Sequence, residues 1–158
     1  MIYFVGRTNT AAQTASIEDA VRYCESKDVL GVDTETTGLD FLSDSLTMFQ
    51  IGDEENQFVI DTRQVSIEPL RKVLECQDTV KVLHNVKFDY KFIRKSYNIE
   101  LNNIWDTMIV DQVIHNGRPY RFRLADLTHR YLGLELDKDV RTGFISLGNR
   151  EFTYEQIQ

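Results

Sequence analysis

Two carboxylates stand two positions apart at the end of an apolar run. The run is Val29–Val32, and Asp33 and Glu35 follow it within VLGVDTETTGL. Residues two apart on a strand share a face, so both acids are expected on one side of a sheet. Adjacent carboxylates that lose hydration repel each other, and a divalent cation with oxygen ligands would compensate them. The alternative is a strand that ends in a polar turn, with T-T-G supplying the turn chemistry.

A third carboxylate, Asp89, belongs to a segment that follows another predicted strand. Val80–His84 is apolar enough for a strand, and the helical spacing after it begins at Asn85. If this strand and Val29–Glu35 share a sheet, the start of the helix can bring Asp89 over the end of the first strand. Three carboxylates would then converge. The alternative is that Asn85 only caps the helix and Asp89 is a surface acid near its positive end.

Joined together, these segments resemble one family. D-T-E-T-T-G-L at Asp33–Leu39 and H-N-V-K-F-D at His84–Asp89 are similar to the first and second motifs of the DEDD-type 3′→5′ exonucleases. This superfamily includes ribonuclease D and the proofreading domain of family-A DNA polymerases. W-D-T-M at Trp105–Met108 and L-A-D-L-T-H-R-Y-L-G at Leu124–Gly133 resemble later segments of those domains, so the similarity covers nearly the whole chain from Val29 on.

The resemblance implies that Asp33, Glu35 and Asp89 are catalytic and bind two Mg²⁺ or Mn²⁺ ions. Asp33 would bridge the metals, Glu35 would hold the ion that binds the attacking water, and Asp89 would hold the other. Phosphodiester hydrolysis needs a nucleophilic water and charge stabilisation on the phosphate, and two cations about 4 Å apart supply both.

The resemblance also implies a set of substrate contacts. Leu39 matches a side chain that wedges against the terminal base, and Thr34 and Thr37 would donate hydrogen bonds to the terminal nucleotide. Asn85 and Phe88 of the second motif match positions that line the single-strand channel. Stacking in such a channel tolerates any base. The expected substrate-binding residues are Thr34, Thr37, Leu39, His84, Asn85 and Phe88.

Some of these positions have a plain structural alternative. Leu39 and Phe88 would serve equally well as core residues. Lys87, Lys91 and Arg94 would meet the phosphate backbone, or would form a solvated basic helix face.

The family's fourth carboxylate, carried in a Y-x-x-x-D or H-x-x-x-D motif, has no match. Tyr154 is followed at the corresponding position by Gln158, and an amide is a poorer ligand than a carboxylate. In another alignment the segment F-T-Y-E-Q-I-Q immediately precedes that motif, and Gln156 matches the Gln that commonly stands before it. We therefore expect a single exonuclease domain over residues 1–158 that is incomplete at its C-terminus, with weak or no activity unless a partner chain or a swapped segment completes the site.

The whole chain fits one domain. Its 158 residues are 42% hydrophobic and 27% charged, which is ordinary for a globular protein. No segment approaches about 18 consecutive apolar residues, and the N-terminus lacks the features of a signal peptide, so we expect a cytosolic protein with no membrane segment. The net charge of −7 argues against non-specific duplex binding through a basic surface, so nucleic acid would be bound locally through cations and a few basic side chains.

Alternating and helical apolar patterns predict the elements that would position these residues. They indicate an α/β fold, and the resemblance implies a ribonuclease H-like mixed sheet flanked by helices. The predicted strands are Ile2–Val5, Val29–Glu35, Leu46–Gly52, Gln57–Asp61 and Val80–His84. The predicted helices are one beginning after Ser16, Ser66–Cys76, Asn85–Tyr97, Trp105–His115 and Arg123–Leu132, the last with Leu124, Leu127 and Tyr131 facing inward and Gly133 as its stop.

The expected function is metal-dependent removal of nucleotides from the 3′ end of single-stranded DNA, of the proofreading type. An RNA exonuclease like ribonuclease D is an alternative within the same class. A catalytically silent module that binds single strands or a partner is an alternative from another class, consistent with the unmatched fourth carboxylate. A polymerase domain, or a chain that supplies that carboxylate, is the expected partner.

Overall fold

The computed structural model describes residues 1–8, 10–116 and 118–136. The expectations for Tyr154, Gln156 and Gln158 therefore lie outside the described residues. The strands are β1 (Ile2–Val5), β2 (Val29–Thr36), β3 (Leu46–Gly52), β4 (Gln57–Asp61), β5 (Val80–Leu83) and β6 (Ile104–Asp106). The helices are α1 (Ile17–Cys24), α2 (Arg71–Leu74, preceded by a 3₁₀ turn at Glu68–Leu70), α3 (Val86–Tyr97), α4 (Thr107–Ile114) and α5 (Leu124–Leu132).

All six strands belong to one mixed sheet with the order β1-β4-β3-β2-β5-β6. The hairpins β2–β3 and β3–β4 are antiparallel, and β1 runs parallel to β4. On the other side β2, β5 and β6 run parallel to one another. The mixed α/β architecture expected from the sequence is confirmed.

Strands β3 and β2 are the two middle strands of the sheet. The apolar run Val29–Val32 is not buried on both faces, because β2 alternates, with Leu30 and Val32 buried and Val29 52% exposed. The strand that is buried on both faces is β3, where only Gln50 is partly exposed. Because both strands are central, the groups that pack on each face, rather than the position in the sheet, decide this difference.

The main core lies between one face of the sheet and the helices. Leu30 and Val32 of β2 share a buried cluster with side chains of β3, β4 and β5 and with residues of α1, α2 and α3. This core fixes α3 against the sheet.

Helix α1 begins at a capping box in which Ser16 Oγ accepts from the Asp19 backbone N–H and the Asp19 carboxylate accepts from the Ser16 N–H.

Two predicted helices are shorter than expected. The segment Ser66–Cys76 contains only the 3₁₀ turn and α2. The predicted helix Trp105–His115 begins only at Thr107, because Trp105 pairs in parallel with Val82 as part of β6. The apolar spacing of that segment is helical, but the pairing with β5 overrides it.

Helix α5 begins at Leu124, one residue after the predicted Arg123, which is its N-cap, and Gly133 ends it in the left-handed conformation, φ 67°. Its predicted inward face is only partly right, because Leu127 is buried whereas Leu124 and Tyr131 are 46% and 56% exposed. The longest helix in the described ranges is α3, and none there is long and apolar enough to cross a membrane.

Candidate active site

The candidate site lies where parallel strands end at one edge of the sheet. Strand β5 pairs with β2 only over Val29–Gly31, so the remainder of β2 extends beyond β5. Helix α3 starts three residues after β5 ends and lies alongside this extension of β2. The start of α3 is thereby brought next to the end of β2, which is the condition under which the sequence predicts that the three carboxylates converge.

Asp89 is buried at this edge and is tied to β2. Its side chain is 3% exposed, and its Oδ1 accepts a hydrogen bond of 2.6 Å from Thr34 Oγ1. Burial raises the pKa of Asp89 to about 7; the Thr34 hydrogen bond opposes the rise, and the negative charge of Asp33 adds to it. Asp89 and Asp33 are therefore close enough for their charges to interact.

Asp33 and Glu35 alternate along β2 with the buried Thr34 and Thr36. Asp33 is exposed and lies opposite Gln50 of β3, whereas Glu35 is partly buried and lies opposite Met48. The pairing with β3 shifts register between Glu35 and Thr36. Such an irregularity bends the strand and re-aims its side chains at the end where the carboxylates lie.

The donor chemistry at this edge suits a divalent cation. Carboxylate oxygens are the ligands of Mg²⁺, and a cation would offset the repulsion between Asp33 and Asp89. Within residues 1–8, 10–116 and 118–136, however, no group of three or more His, Cys, Asp or Glu side chains is placed to hold a metal ion. The ligand set Asp33, Glu35 and Asp89 thus stays a prediction. It is supported by the charge repulsion between Asp33 and Asp89 that contributes to the raised pKa of Asp89.

The two threonines predicted to bind the terminal nucleotide make hydrogen bonds inside the protein. Thr34 donates to Asp89, so its hydroxyl orients that carboxylate. Thr37 Oγ1 lies 3.3 Å from Asp44 Oδ1 and accepts from the Ser45 backbone N–H at 2.9 Å. Donation from these hydroxyls to a nucleotide stays a prediction. It would require Thr34 to leave Asp89.

The remaining predicted contacts are differently exposed. Leu39 is 81% exposed, so it is not a core residue. Phe88 is partly buried against Phe92, with 5.1 Å between ring centroids. Asn85 is exposed in the left-handed conformation at the start of α3, and its side chain does not cap the helix. His84 Nδ1 lies 2.9 Å from Thr107 Oγ1.

Asp106 takes the capping role that the sequence assigned to Asn85. Its carboxylate accepts from the backbone N–H groups of Asn85 and Val86 at the start of α3. It also accepts from Met108 and Ile109 at the start of α4. This single buried carboxylate fixes both helix N-termini and therefore the position of Asp89. The sequence analysis missed this role, because the predicted helix Trp105–His115 placed Asp106 inside a helix rather than before one.

The basic residues of α3 have mixed environments. Lys91 Nζ lies 4.9 Å from the centroid of the Phe41 ring, and Arg94 Nη1 donates to the Asn98 carbonyl. Lys87 is exposed. Contact of these residues with a phosphate backbone stays a prediction.

Comparison with known proteins identifies the family. A family model described as 3′-5′ exonuclease matches residues 9–157. DNA polymerase I of Aquifex aeolicus is 36% identical over 127 residues, which is 80% of this chain and 20% of that protein. A DNA polymerase of Bacillus phage SP01 is 42% identical over 91 residues, 56% of this chain and 10% of the phage protein. The chain thus spans about a fifth or less of the length of these relatives.

Solved structures share the fold. Escherichia coli RNase D, an exoribonuclease, has a TM-score of 0.78 at 23% identity, covering 99% of this chain and 40% of that one. NrnC of Brucella melitensis with bound Mg²⁺ has a TM-score of 0.74 at 18% identity, covering 99% and 70%. The predicted exonuclease resemblance and the ribonuclease H-like fold are confirmed, and the chain belongs to the 3′-5′ exonuclease family whose model matches residues 9–157.

Proposed function

We propose that this chain hydrolyses the 3′-terminal phosphodiester bond of single-stranded DNA, using divalent cations bound by Asp33, Glu35 and Asp89. The observation that carries the proposal is Asp89, which is buried, lies within charge-interaction range of Asp33 and is held by Thr34. A carboxylate placed in this way is costly for the fold, and such arrangements are concentrated at functional sites.

Each residue has a defined part in this proposal. Asp33, Glu35 and Asp89 supply the carboxylate oxygens, and the Thr34 hydroxyl fixes the orientation of Asp89. When bound, divalent cations lower the pKa of a coordinated water and offset charge on the phosphate. The Mg²⁺ in the NrnC structure, a protein of the same fold, supports the choice of ion.

DNA is the favoured substrate because the more similar relative is a DNA polymerase. Identity to DNA polymerase I is 36%, whereas RNase D shares the fold at 23%. A proofreading role beside a polymerase domain is part of the proposal for the same reason. NrnC in complex with pGG shows that a protein of this fold can bind a short nucleic-acid ligand.

The test uses a single-stranded oligonucleotide with a fluorescent 5′ label, in matched DNA and RNA forms. Wild-type protein with Mg²⁺ or Mn²⁺ is expected to shorten the DNA from its 3′ end, slowly because the family's fourth carboxylate has no match in the sequence, and chelation by EDTA is expected to stop this. Asp33→Ala should abolish shortening. Glu18→Ala, which changes an exposed acid in the first turn of α1, is the matched control and should leave it unchanged.

The outcomes separate the competing functions. Faster shortening of RNA than of DNA would replace the substrate in the proposal. Binding of the labelled strand without any cation-dependent shortening would instead favour the silent single-strand module. Equal activity in Asp33→Ala and wild type would remove the carboxylates from the mechanism.

A further inference from the structure

The loop between β2 and β3 displays two large apolar side chains beside the candidate site. Leu39 is 81% exposed and Leu42 is 72% exposed. Leu39 follows the end of β2 closely, and Leu42 lies in the turn that comes next. The expected substrate contact at Leu39 leaves Leu42 without an assigned role.

Hydrogen bonds hold this turn in one conformation. The backbone N–H groups of Ser43 and Asp44 donate to the Asp40 carbonyl at 3.1 and 2.7 Å. The Asp40 carboxylate accepts from the Leu42 N–H at 3.0 Å and from Ser43 Oγ at 3.0 Å. The hydrogen bond from Leu42 is the main reason that the pKa of Asp40 lies below its ordinary value. Leu42 is therefore exposed on an ordered turn.

Asp44 closes the loop from its other end. Its Oδ2 accepts from the Asp40 N–H at 2.9 Å, and its Oδ1 is 3.3 Å from Thr37 Oγ1. Gly38 leaves room for this carboxylate, because a Cβ at that position would lie 2.4 Å from Asp44 Oδ2. The loop is thus packed closely against its own carboxylate.

Helix α3 holds the loop through two lysines one turn apart. Lys95 Nζ donates to the carbonyl oxygens of Leu42 and Asp44 at 3.0 and 3.1 Å. Lys91 Nζ lies over the ring of Phe41, which is turned partly inward. The same helix carries Asp89. Helix α3 therefore positions both the turn that exposes Leu42 and the buried carboxylate.

We propose that Leu42 makes a second apolar contact with the bases of the bound strand, next to the contact of Leu39, and that Lys95 is the positioning residue that sets it. This inference rests on the proposed function. An ordered turn that exposes two leucines offers apolar contact to successive bases, and such contact does not depend on base identity because every base has an apolar face. Lys95 acts through the backbone of the turn, because its ammonium donates to two carbonyls there.

The first experiment measures the full chain binding a DNA strand, with Ca²⁺ replacing Mg²⁺. The strand carries 2-aminopurine at its terminal, second or third position from the 3′ end. Leu42→Ala is expected to weaken binding about fivefold or more, because it removes apolar area that the bases would bury, and to change the fluorescence at the second or third position only. Leu39→Ala should change the terminal position. Leu132→Ala, an equally accessible leucine at the end of α5, is the matched control and should change neither.

The second experiment separates positioning by Lys95 from direct contact with phosphate. Lys95→Met should weaken binding as Leu42→Ala does, the double variant should be no weaker than either single one, and Lys95→Arg should restore binding in part. A direct phosphate contact would instead lower the slope of log Kd against log salt by about 0.7 for a single strand and would add to Leu42→Ala. That result would overturn the role given to Lys95.

The two levels of the proposal fail in different ways. If wild-type protein binds the strand and Leu42→Ala binds it equally well at every probe position, the contact at Leu42 is overturned while the exonuclease proposal stands. If Leu42→Ala changes the terminal position as strongly as Leu39→Ala, the assignment to a second base is overturned. If wild type neither binds nor shortens any strand, the proposed function fails and this inference fails with it.

Discussion

Asp61 and Asp89 are both buried carboxylates, but the protein treats them in opposite ways. Asp61, at the end of β4, is 0% exposed, and Asp89 is 3% exposed. Burial alone would raise the pKa of Asp61, but hydrogen bonds from Arg63 and Gln64 outweigh it and the pKa is lowered. The Arg63 guanidinium holds both carboxylate oxygens at 2.8 Å. Asp89 has its pKa raised to about 7, although the Thr34 hydroxyl and backbone N–H groups donate hydrogen bonds to it.

The difference separates a structural carboxylate from one suited to chemistry. The cation that pairs with Asp61 is Arg63, two residues later in the chain. The charge of Asp61 is therefore already balanced within the folded protein. Asp89 receives hydrogen bonds from neutral groups and is repelled by Asp33, so a cation from solution would stabilise its charged form further. The variants below are designed to break this contrast.

The largest effect is expected for Asp89→Asn. Loss of one ligand at a metal site whose ligands act together should lower the rate of cation-dependent cleavage by about a hundredfold or more. The amide keeps the shape and removes a buried charge, so the free energy of unfolding should be unchanged or higher. Cleavage assays and urea unfolding in EDTA measure the two effects. A variant that unfolds more easily but cleaves normally would make Asp89 structural and would end the contrast.

Asp61→Asn should give the reverse pattern. Losing the charge-assisted hydrogen bonds leaves Arg63 with a weaker partner and should lower the free energy of unfolding by about 2 to 4 kcal/mol. Urea unfolding measures the loss. Mn²⁺ affinity, measured by calorimetry, should stay at the wild-type value, and a large change in it would show that Asp61 contributes to the site.

Thr34→Val tests the neutral partner of Asp89. The substitution keeps the side-chain shape and removes the 2.6 Å hydrogen bond. Residues that orient a metal ligand typically change metal affinity by about 10- to 100-fold, so Mn²⁺ should bind about tenfold more weakly. Thr36→Val, the next buried threonine of β2, is the matched control and should leave Mn²⁺ affinity unchanged. Equal affinity in Thr34→Val and wild type would mean that Asp89 needs no orientation by β2.

Local patterns in the sequence were sufficient for the elements that carry the site. The motif strand, the helix carrying Asp89 and the stop at Gly133 follow from apolar spacing and capping residues within short windows. The segments that carry the carboxylates could be predicted to meet because β2 and β5 are parallel neighbours in one sheet and α3 follows β5 directly.

What could not be predicted depends on contacts between distant residues. The hydrogen bond from Thr34 to Asp89 spans 55 positions, and the capping of α3 by Asp106 spans 20. Lys81, within a predicted strand, is 0% exposed, because its ammonium folds back to the carbonyls of Cys76 and Thr79. Nothing in the alternation of β5 distinguishes such a lysine from one that points to solvent.

The smallest effect expected is the pH dependence that Asp61 adds to stability. Its folded pKa lies below the value of about 3.9 for an unfolded chain, so its contribution is present above that pH and is lost as pH falls through the folded pKa. The difference in unfolding free energy between wild type and Asp61→Asn should therefore be constant from pH 7 to 5 and should shrink below pH 4. Urea titrations at stepped pH measure it. A difference that grows on acidification would mean that burial, rather than Arg63, dominates Asp61, and the two buried carboxylates would then be alike.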